Sequence, residues 1–173
     1  NNEYDEDYSE FEMFMARKEL KFITRRMNRG RIKSINDGCF VSGAPFGYRN
    51  AVINKKHTLE VYEPEAKYVR MIFDMYVNQS MGITSISRQL ANLGVLSKKN
   101  TPLHPTTIAR MLRNHTYIGK IVWNKSKSVK GKNTQEKTSK DDWLYVPGLH
   151  EPIIDEDTFN KAQDIINLKY KPP

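Results

Sequence analysis

The first part of the chain shows a helical pattern with two apolar faces. Residues 8–29 contain neither Gly nor Pro and are rich in Glu, Lys, Arg, Met and Leu, which predicts a helix of about six turns. At roughly 100° per residue, the apolar side chains fall on two opposite sides. One side carries Phe11, Phe14, Met15 and Phe22, and the other carries Met13, Leu20, Ile23 and Met27.

Two opposed stripes predict that this helix is held between two partners, because a helix on a domain surface needs only one apolar stripe. At least one partner then lies outside this chain. The alternative, a fully buried helix, is disfavoured by five basic side chains, which are rarely buried: Arg17, Lys18, Lys21, Arg25 and Arg26.

Glycine and proline then interrupt any periodic pattern. Between residues 29 and 50, glycine stands at positions 30, 38, 43 and 47 and proline at position 45, which predicts an extended segment. The basic residues at its head suit contacts with phosphates or with a narrow minor groove. The alternative is a solvated, flexible hinge. The basic residues concerned are Arg25, Arg26, Arg29, Arg31 and Lys33.

Two pairs of short strands are predicted after this segment. Tyr48–Ile53 and Leu59–Tyr62 flank the polar turn "NKKH" and predict a hairpin. Ile118–Trp123 and Trp143–Val146 predict two further strands, which nineteen residues without apolar periodicity separate.

Helices are predicted between and after these strands. One begins with Pro64 at its first position, and a second extends from Thr84, as its cap, to Leu93, with Gly94 as its stop. A final helix follows Asp155, which we expect to cap it. All three carry apolar residues at the spacing of a core-facing helix.

The stretch "PLHPTTIARMLRNHTYIGK" predicts one more helix, from Pro105 to Asn114. Its inner face carries Ile108, Met111 and Leu112. The outer face carries one hydroxyl and two guanidinium groups, which suit base edges in a major groove because arginine forks match guanine O6 and N7. The alternative is a solvated basic face. The outer residues are Thr106, Arg110 and Arg113.

The segment between the last two strands is lysine-rich. Five lysines occur between positions 125 and 137, among them Lys125, Lys127 and Lys130. Loops of this length are usually functional or disordered, so we expect disorder without a ligand and attraction to phosphates without base reading.

Composition narrows the class of partner. The chain has 173 residues, a net charge of +8 and a pI near 9.5. Six acids and no base stand in the first twelve residues, so the remainder carries 28 basic against 14 acidic side chains. This balance favours a polyanionic partner, either a nucleic acid or an anionic membrane surface.

Other features of the sequence exclude several kinds of site and of targeting segment. The single cysteine, Cys39, excludes an internal disulfide and zinc sites built on two or four cysteines. No apolar run reaches the length of a membrane span and no signal peptide opens the chain, which predicts a cytoplasmic protein without a membrane partner. An opening at "NNEYDED" without methionine suggests a piece of a longer chain.

No catalytic, metal or nucleotide constellation is visible. The four histidines, at positions 57, 104, 115 and 150, stand in separate elements without metal-site spacing. "VSGAP" around Ser42 lacks the spacing of a nucleophile turn. We therefore expect an isolated chain that is non-catalytic and binds neither metal nor cofactor.

Several linked motifs resemble the large serine recombinases. They are "RRMNRGR", "GCFVSGAPFGYR", "LEVYEPEAKYVRMIFDMY", "GITSISRQLANLGV", "TTIARMLRNHTYIGKIVWN" and "HEPIIDEDTFNKAQDII", and they cover nearly the whole chain in the family's order. The resemblance implies the recombinase domain, the first of two DNA-binding domains, with the long helix before it. It also implies an upstream catalytic domain with a nucleophilic serine and a downstream zinc-ribbon domain.

The resemblance assigns roles to the segments predicted above. The long helix would pack against the catalytic domain and its dimer mate, the extended segment would follow the minor groove, and the helix at Pro105 would enter the major groove. The connection from Leu93 to Pro105 is longer than a simple helix-turn-helix allows, which is a departure from that motif.

We therefore predict an α+β, mainly α-helical fold in three parts. Residues 1–33 would form the acidic start and connecting helix, 34–50 an extended linker, and 51–173 the DNA-binding domain. The function expected is sequence-specific binding of double-stranded DNA within a site-specific recombinase that integrates or excises a mobile element. The parent protein would be a homodimer or tetramer, bacterial or phage-encoded, acting at the nucleoid.

The predicted DNA contacts lie between residues 25 and 130. They are Arg25, Arg26, Arg29, Arg31, Lys33, Ser42, Arg49, His104, Thr106, Thr107, Arg110, Arg113, Lys125, Lys127 and Lys130.

Two other functional classes remain open from the sequence. A stand-alone helix-turn-helix transcription regulator would use the long helix only for dimerisation. An RNA-binding or scaffolding protein would show little preference for duplex DNA.

Overall fold

The computed structural model describes residues 2–128 and 134–169. Its first element is one long helix, α1 (Asn2–Asn36). The helix extends past Gly30, so residues 29–36, predicted to be extended, are helical. A single exposed glycine costs a helix only about 1 kcal/mol, and the last turn recovers this by burying Ile35 completely.

The end of α1 is closed by a glycine in the left-handed region. Gly38 has φ +78°, its N–H donates to the carbonyl of Ile35, and the N–H of Cys39 donates to the carbonyl of Ser34. These two bonds form a Schellman motif, which satisfies carbonyls that the helix end leaves without partners. The stop signal therefore lies at Gly38, about two turns beyond Gly30.

A hairpin follows the connecting segment. Strands β1 (Tyr48–Ile53) and β2 (Lys56–Val61) pair antiparallel with Ile53 opposite Lys56. Asn54 and Lys55 both have positive φ, as a two-residue primed turn requires. The four-residue turn predicted at "NKKH" is therefore wrong, because the second strand begins three residues earlier than expected.

Three helices come next: α2 (Glu63–Val77), α3 (Ile83–Asn92) and α4 (Pro105–Leu112). The cap of α3 is the backbone of Gly82 rather than the predicted Thr84. Gly94, with φ +69°, ends this helix as expected. α4 ends two residues before the predicted Asn114, because Asn114 caps a following 3-10 helix, His115–Ile118.

The last third of the chain combines short strands with one helix. β3 (Lys120–Trp123) pairs antiparallel with β6 (Leu144–Pro147), and α5 (Glu156–Lys169) closes the chain. Between them, β4 (Ser126–Ser128) and β5 (Gln135–Lys137) form a small hairpin, followed by a second 3-10 helix, Lys140–Asp142. Secondary structure therefore occurs in the described part of the segment expected to be disordered.

Two hydrophobic clusters organise these elements. The larger one joins α2, α3, α4 and α5 with Tyr48 and Tyr117, both fully buried. The smaller one joins Ile35 of α1 to Ile121 and Val146 of the β3–β6 pair. The α+β, mainly helical fold class is confirmed. The division into three domains stays a prediction.

Gly47 shows how closely the connecting segment fits the core. Its φ is +92°, and an added Cβ would lie 2.8 Å from Val69 Cγ2 and 3.0 Å from Ile153 Cδ1. We expect Gly47→Ala to lower the free energy of unfolding by about 1–3 kcal/mol, through backbone strain and overpacking. Urea unfolding followed by circular dichroism measures this change.

Gly43→Ala is the matched control, because nothing lies within 4 Å of a Cβ added there. Its effect should stay within about 0.5 kcal/mol. Equal stabilities of the two variants would contradict the close fit at Gly47.

Two histidines, of which His150 is buried and His115 is half-buried, predict a pH dependence of stability. His150 is 5% exposed, its Nε2 lies 2.8 Å from the carbonyl oxygen of Thr116, and its Nδ1 has no hydrogen-bond partner among the described residues. Burial lowers the pKa of His150 below its ordinary value of 6.5. Burial lowers the pKa of His115 as well, and the charges of Lys125 and Lys120 add to the effect.

In the folded state both histidines therefore bind a proton only below the pH, near 6.5, at which they are protonated in the unfolded state. Stability should be flat above that pH and should fall as the pH decreases below it, by at most about 1.4 kcal/mol per pH unit for each histidine. Urea unfolding at pH 7.5, 6.5 and 5.5 measures the slope. A free energy of unfolding that increases between pH 7.5 and pH 5.5 would contradict the lowered pKa of the two histidines.

Candidate nucleic-acid interface

The outer face of α4 is exposed as the apolar pattern predicts. Ile108, Met111 and Leu112 are buried, while Thr106, Arg110 and Arg113 are exposed on the opposite side. Within the described residues, neither arginine forms an ion pair, so both guanidinium groups can meet an anion or a base. Only the weak 3.4 Å bond from Arg113 Nη1 to the carbonyl of Ala109 occupies one of their donors.

His104 and Thr107 take different places from the outer face. His104 is the N-cap of α4, and its Nδ1 accepts from the N–H of Thr106 at 3.3 Å and lies 3.0 Å from the Thr106 hydroxyl. This cap occupies one ring nitrogen. Thr107 is half-buried beside the core face. Contact of either residue with DNA stays a prediction.

The basic residues near the end of α1 divide between two sides of the helix. At about 100° per residue, Arg25, Arg26, Arg29 and Lys33 fall within one arc of about 100°. We call these four residues the α1 cationic face. All four are exposed. Arg31 lies on the other side, with its guanidinium carbon 5.8 Å from the centre of the Trp123 ring.

The segment that joins α1 to β1 is bound to the domain at both ends. We call residues 37–47 the strap. At its start, the N–H of Phe40 donates to the carbonyl of His57, and Gly38 accepts from the N–H of Leu149. At its end, the Tyr117 hydroxyl donates to the carbonyl of Phe46 at 2.8 Å. Only residues 41–43, which include Ser42, form its exposed tip.

The strap tip lies next to the end of α4. Ser42 and Gly43 line a cavity of about 180 Å³ together with Asn114 and Lys125. Asn114 follows the last turn of α4 directly. The tertiary structure therefore brings together two segments that lie about seventy residues apart in the sequence.

The remaining predicted DNA contacts differ in how free their side chains are to meet a ligand. Arg49 pairs with Glu60 at 2.9 Å, and this hydrogen bond lowers the pKa of Glu60. Lys125 is exposed, its ammonium lies 5.4 Å from the centre of the Trp143 ring, and partial desolvation of the ammonium lowers its pKa. Lys127 lies in β4, and Lys130 lies outside the described residues.

Sequence reasoning missed Lys98, in the connection between α3 and α4. Its ammonium donates to the carbonyl oxygen of Ala44 at 3.2 Å and to that of Tyr48, so it holds the strap. The sequence offered no signal, because Lys98 lies in a polar loop and its partners Ala44 and Tyr48 are 54 and 50 residues away. Only the fold brings them together.

The two apolar stripes of α1 lack a cover within the described chain. Their eight side chains are between 47% and 67% exposed, as expected for a helix whose partners lie elsewhere: Phe11, Met13, Phe14, Met15, Leu20, Phe22, Ile23 and Met27. Which partners cover them stays a prediction.

Two other kinds of site are absent from residues 2–128 and 134–169. No group of three or more His, Cys, Asp and Glu side chains is placed to hold a metal ion. No helix in these ranges has both the length and the apolar character needed to cross a membrane.

Comparisons with known proteins point to one family. The family model "Recombinase" matches residues 63–169, which is more than half of the chain. A candidate DNA recombinase of Bacillus subtilis (strain 168) is 29% identical over 103 residues, which are 56% of this chain and 20% of that protein.

Two solved structures are similar as well. A complex of a large serine recombinase (LSR) with DNA has 30% identity and a TM-score of 0.59, covering 86% of this chain and 39% of that one. A structure on the sequence requirements of the Listeria innocua prophage attP site has 30% identity and a TM-score of 0.58, covering 82% and 51%. The chain thus spans about half or less of each of these proteins. It belongs to the Recombinase family, and the sequence-based resemblance to the large serine recombinases is confirmed.

Proposed function

We propose that this chain is the part of a site-specific serine recombinase that recognises its double-stranded DNA site. The observation that carries the proposal is the position of the exposed strap tip next to the end of α4, the helix whose outer face carries the exposed arginines. A helix face of this chemistry fits a major groove, and a short extended segment fits the adjoining minor groove. The similar structures, one of which is described as an LSR–DNA complex, support this arrangement.

Each element has its own role in this proposal. Thr106, Arg110 and Arg113 contact base edges, while the α1 cationic face and Lys125 contact phosphates. The parent recombinase integrates or excises a mobile element, and its bond-breaking chemistry resides in a catalytic domain outside this chain. A protein with this task works on bacterial or phage DNA at the nucleoid.

The apolar stripes of α1 have a place in the same proposal. The parent's own catalytic domain covers one stripe and a second subunit covers the other, in a dimer or tetramer. The exposure of both stripes supports this, because apolar surface of this extent marks an interaction site.

Replacing Arg110 tests base reading by α4. Arg110→Ala should weaken binding to the preferred duplex by about 1–3 kcal/mol and leave binding to a scrambled duplex nearly unchanged, since a bidentate contact to guanine is lost. Fluorescence anisotropy with both duplexes at one salt concentration measures the difference. The preferred duplex is the one recovered by selection from a randomised pool.

The control is Arg70→Ala, which removes an arginine already engaged with Glu63 through bonds of 2.9 and 3.1 Å. Its affinities should stay close to those of the unmodified chain. Equal losses of affinity for both duplexes on Arg110→Ala would mean that Arg110 contacts a phosphate and not a base. An unmodified chain that binds both duplexes equally would overturn the proposed function.

The α1 cationic face is tested by the salt dependence of binding. Arg29→Gln should weaken binding to preferred and scrambled duplexes alike and reduce the slope of log K against log salt by about 1, because one phosphate contact is lost. Lys161→Gln is the control, since Lys161 pairs with Asp157 on α5 at 2.6 Å. A loss confined to the preferred duplex would contradict a phosphate role.

A further inference from the structure

Lys98 connects three parts of the molecule although it stands in a surface loop. Besides the carbonyls of Ala44 and Tyr48, its ammonium lies 3.9 Å from Glu65 Oε2. The same carboxylate oxygen of Glu65 accepts from the N–H of Gly47 at 2.8 Å. Two of the three ammonium donors are thus hydrogen-bonded to carbonyl oxygens, and the contact with Glu65 is an ion pair beyond hydrogen-bond distance.

This arrangement holds the end of the strap on α2. Glu65 stands in the first turn of α2, and its side chain is only 19% exposed. Charge-assisted hydrogen bonds of this kind are stronger than neutral ones, and partial burial protects them from screening by salt. The strap therefore leaves the domain surface at a defined point.

The loop that carries Lys98 is itself stiff. Leu96 and Pro102 form a β-bridge, and the Ser97 N–H donates to the carbonyl of Thr101 at 2.7 Å. Beyond the bridge, the Ser87 hydroxyl donates to the carbonyl of Leu103 at 2.6 Å. The next residue caps α4. A short chain of fixed contacts therefore links the strap to the start of the base-reading helix.

The strap cannot adjust its length on its other side. The bond from Phe40 to His57 fixes its beginning, which leaves residues 41–43 as the exposed part. Three residues span at most about 11 Å. The distance between the strap tip and α4 is therefore determined by the two anchors and not by the tip.

We propose that Lys98 is a positioning residue that sets the spacing between the strap contact and the α4 contact along the DNA. This inference rests on the proposed function above. One base pair changes the position along the duplex by about 3.4 Å and rotates the groove by about 35°. If the contacts of Lys98 hold the strap rigidly, the affinity depends on the number of base pairs between the strap contact and the α4 contact.

The test uses the 173-residue chain and two duplexes. The first is recovered by selection from a randomised pool, and hydroxyl-radical footprinting locates the minor-groove and major-groove contacts on it. The second carries one extra base pair between these contacts. The measured quantity is the ratio of the two dissociation constants.

For the unmodified chain, we expect the insertion to weaken binding about tenfold or more, as for a mismatched base pair. Lys98→Met keeps much of the aliphatic stem but removes the ammonium, so the ratio should fall to about threefold or less. Lys98→Arg, which can still donate to the carbonyls, should restore most of the ratio. Lys99→Met removes the same charge from the exposed neighbouring residue and should leave the ratio unchanged.

Glu65→Gln gives a second, independent variant. An amide can still accept from the Gly47 N–H but loses the charge opposite Lys98, so the ratio should fall part of the way. This variant decides the question if Lys98→Met does not fold, as judged by its urea midpoint.

A Lys98→Met chain, or Glu65→Gln in its place, that keeps the full ratio would overturn the inference. An equal loss of affinity for both duplexes at an unchanged ratio would overturn it too, because Lys98 would then act only through charge or stability. An unmodified chain that recovers no preferred duplex contradicts the proposed function itself, which is a different outcome.

Discussion

The attachment of the strap to the helical core is the contact on which the rest of the structure depends. Tyr48 and Tyr117 stack in the core with their ring centres 6.0 Å apart, and both are fully buried. The Tyr117 hydroxyl donates to Phe46 and the Tyr48 hydroxyl donates to Glu151, each at 2.8 Å. Burial raises the pKa of both tyrosines, so both stay protonated donors. A buried hydroxyl without a partner costs about 1–3 kcal/mol, and this cost selects one position of the strap.

Paired and unpaired charges occur on different parts of the molecule, and this distribution agrees with the proposed function. Within the described residues, the ion pairs lie on the hairpin, at the start of α2, between Lys98 and Glu65, and around α5. The cations of α4 and of the α1 cationic face have no acidic partner there. Since exposed ion pairs contribute little to stability, the unpaired cations matter mainly as a binding surface for a polyanion.

Much of the helical scaffold could be predicted from local signals. The i, i+3, i+4 pattern at Ile108, Met111 and Leu112 placed both faces of α4 correctly, and Gly94 marked the end of α3. The opposed stripes of α1 were visible because helical periodicity depends only on neighbouring residues. The basic residues of α4 were found for the same reason. Contact of these residues with DNA remains a proposal.

Where the prediction was wrong, a distant contact had outweighed a local signal. Gly30 was a reasonable stop for α1, but the burial of Ile35 against Ile121 and Val146 extends the helix about two turns further, to Asn36. The roles of Lys98 and His150 were invisible for a related reason, because each side chain bonds to backbone carbonyls that are more than thirty residues away.

The sequence by itself determined the helix faces, the charge balance and the family, because these follow from residue type and spacing. Only the tertiary structure decided that the strap is anchored at both ends and that its tip lies beside α4. Hydrogen bonds such as Tyr117 to Phe46 and Lys98 to Ala44 join segments more than fifty residues apart. Such bonds form only after hydrophobic burial has brought the segments together.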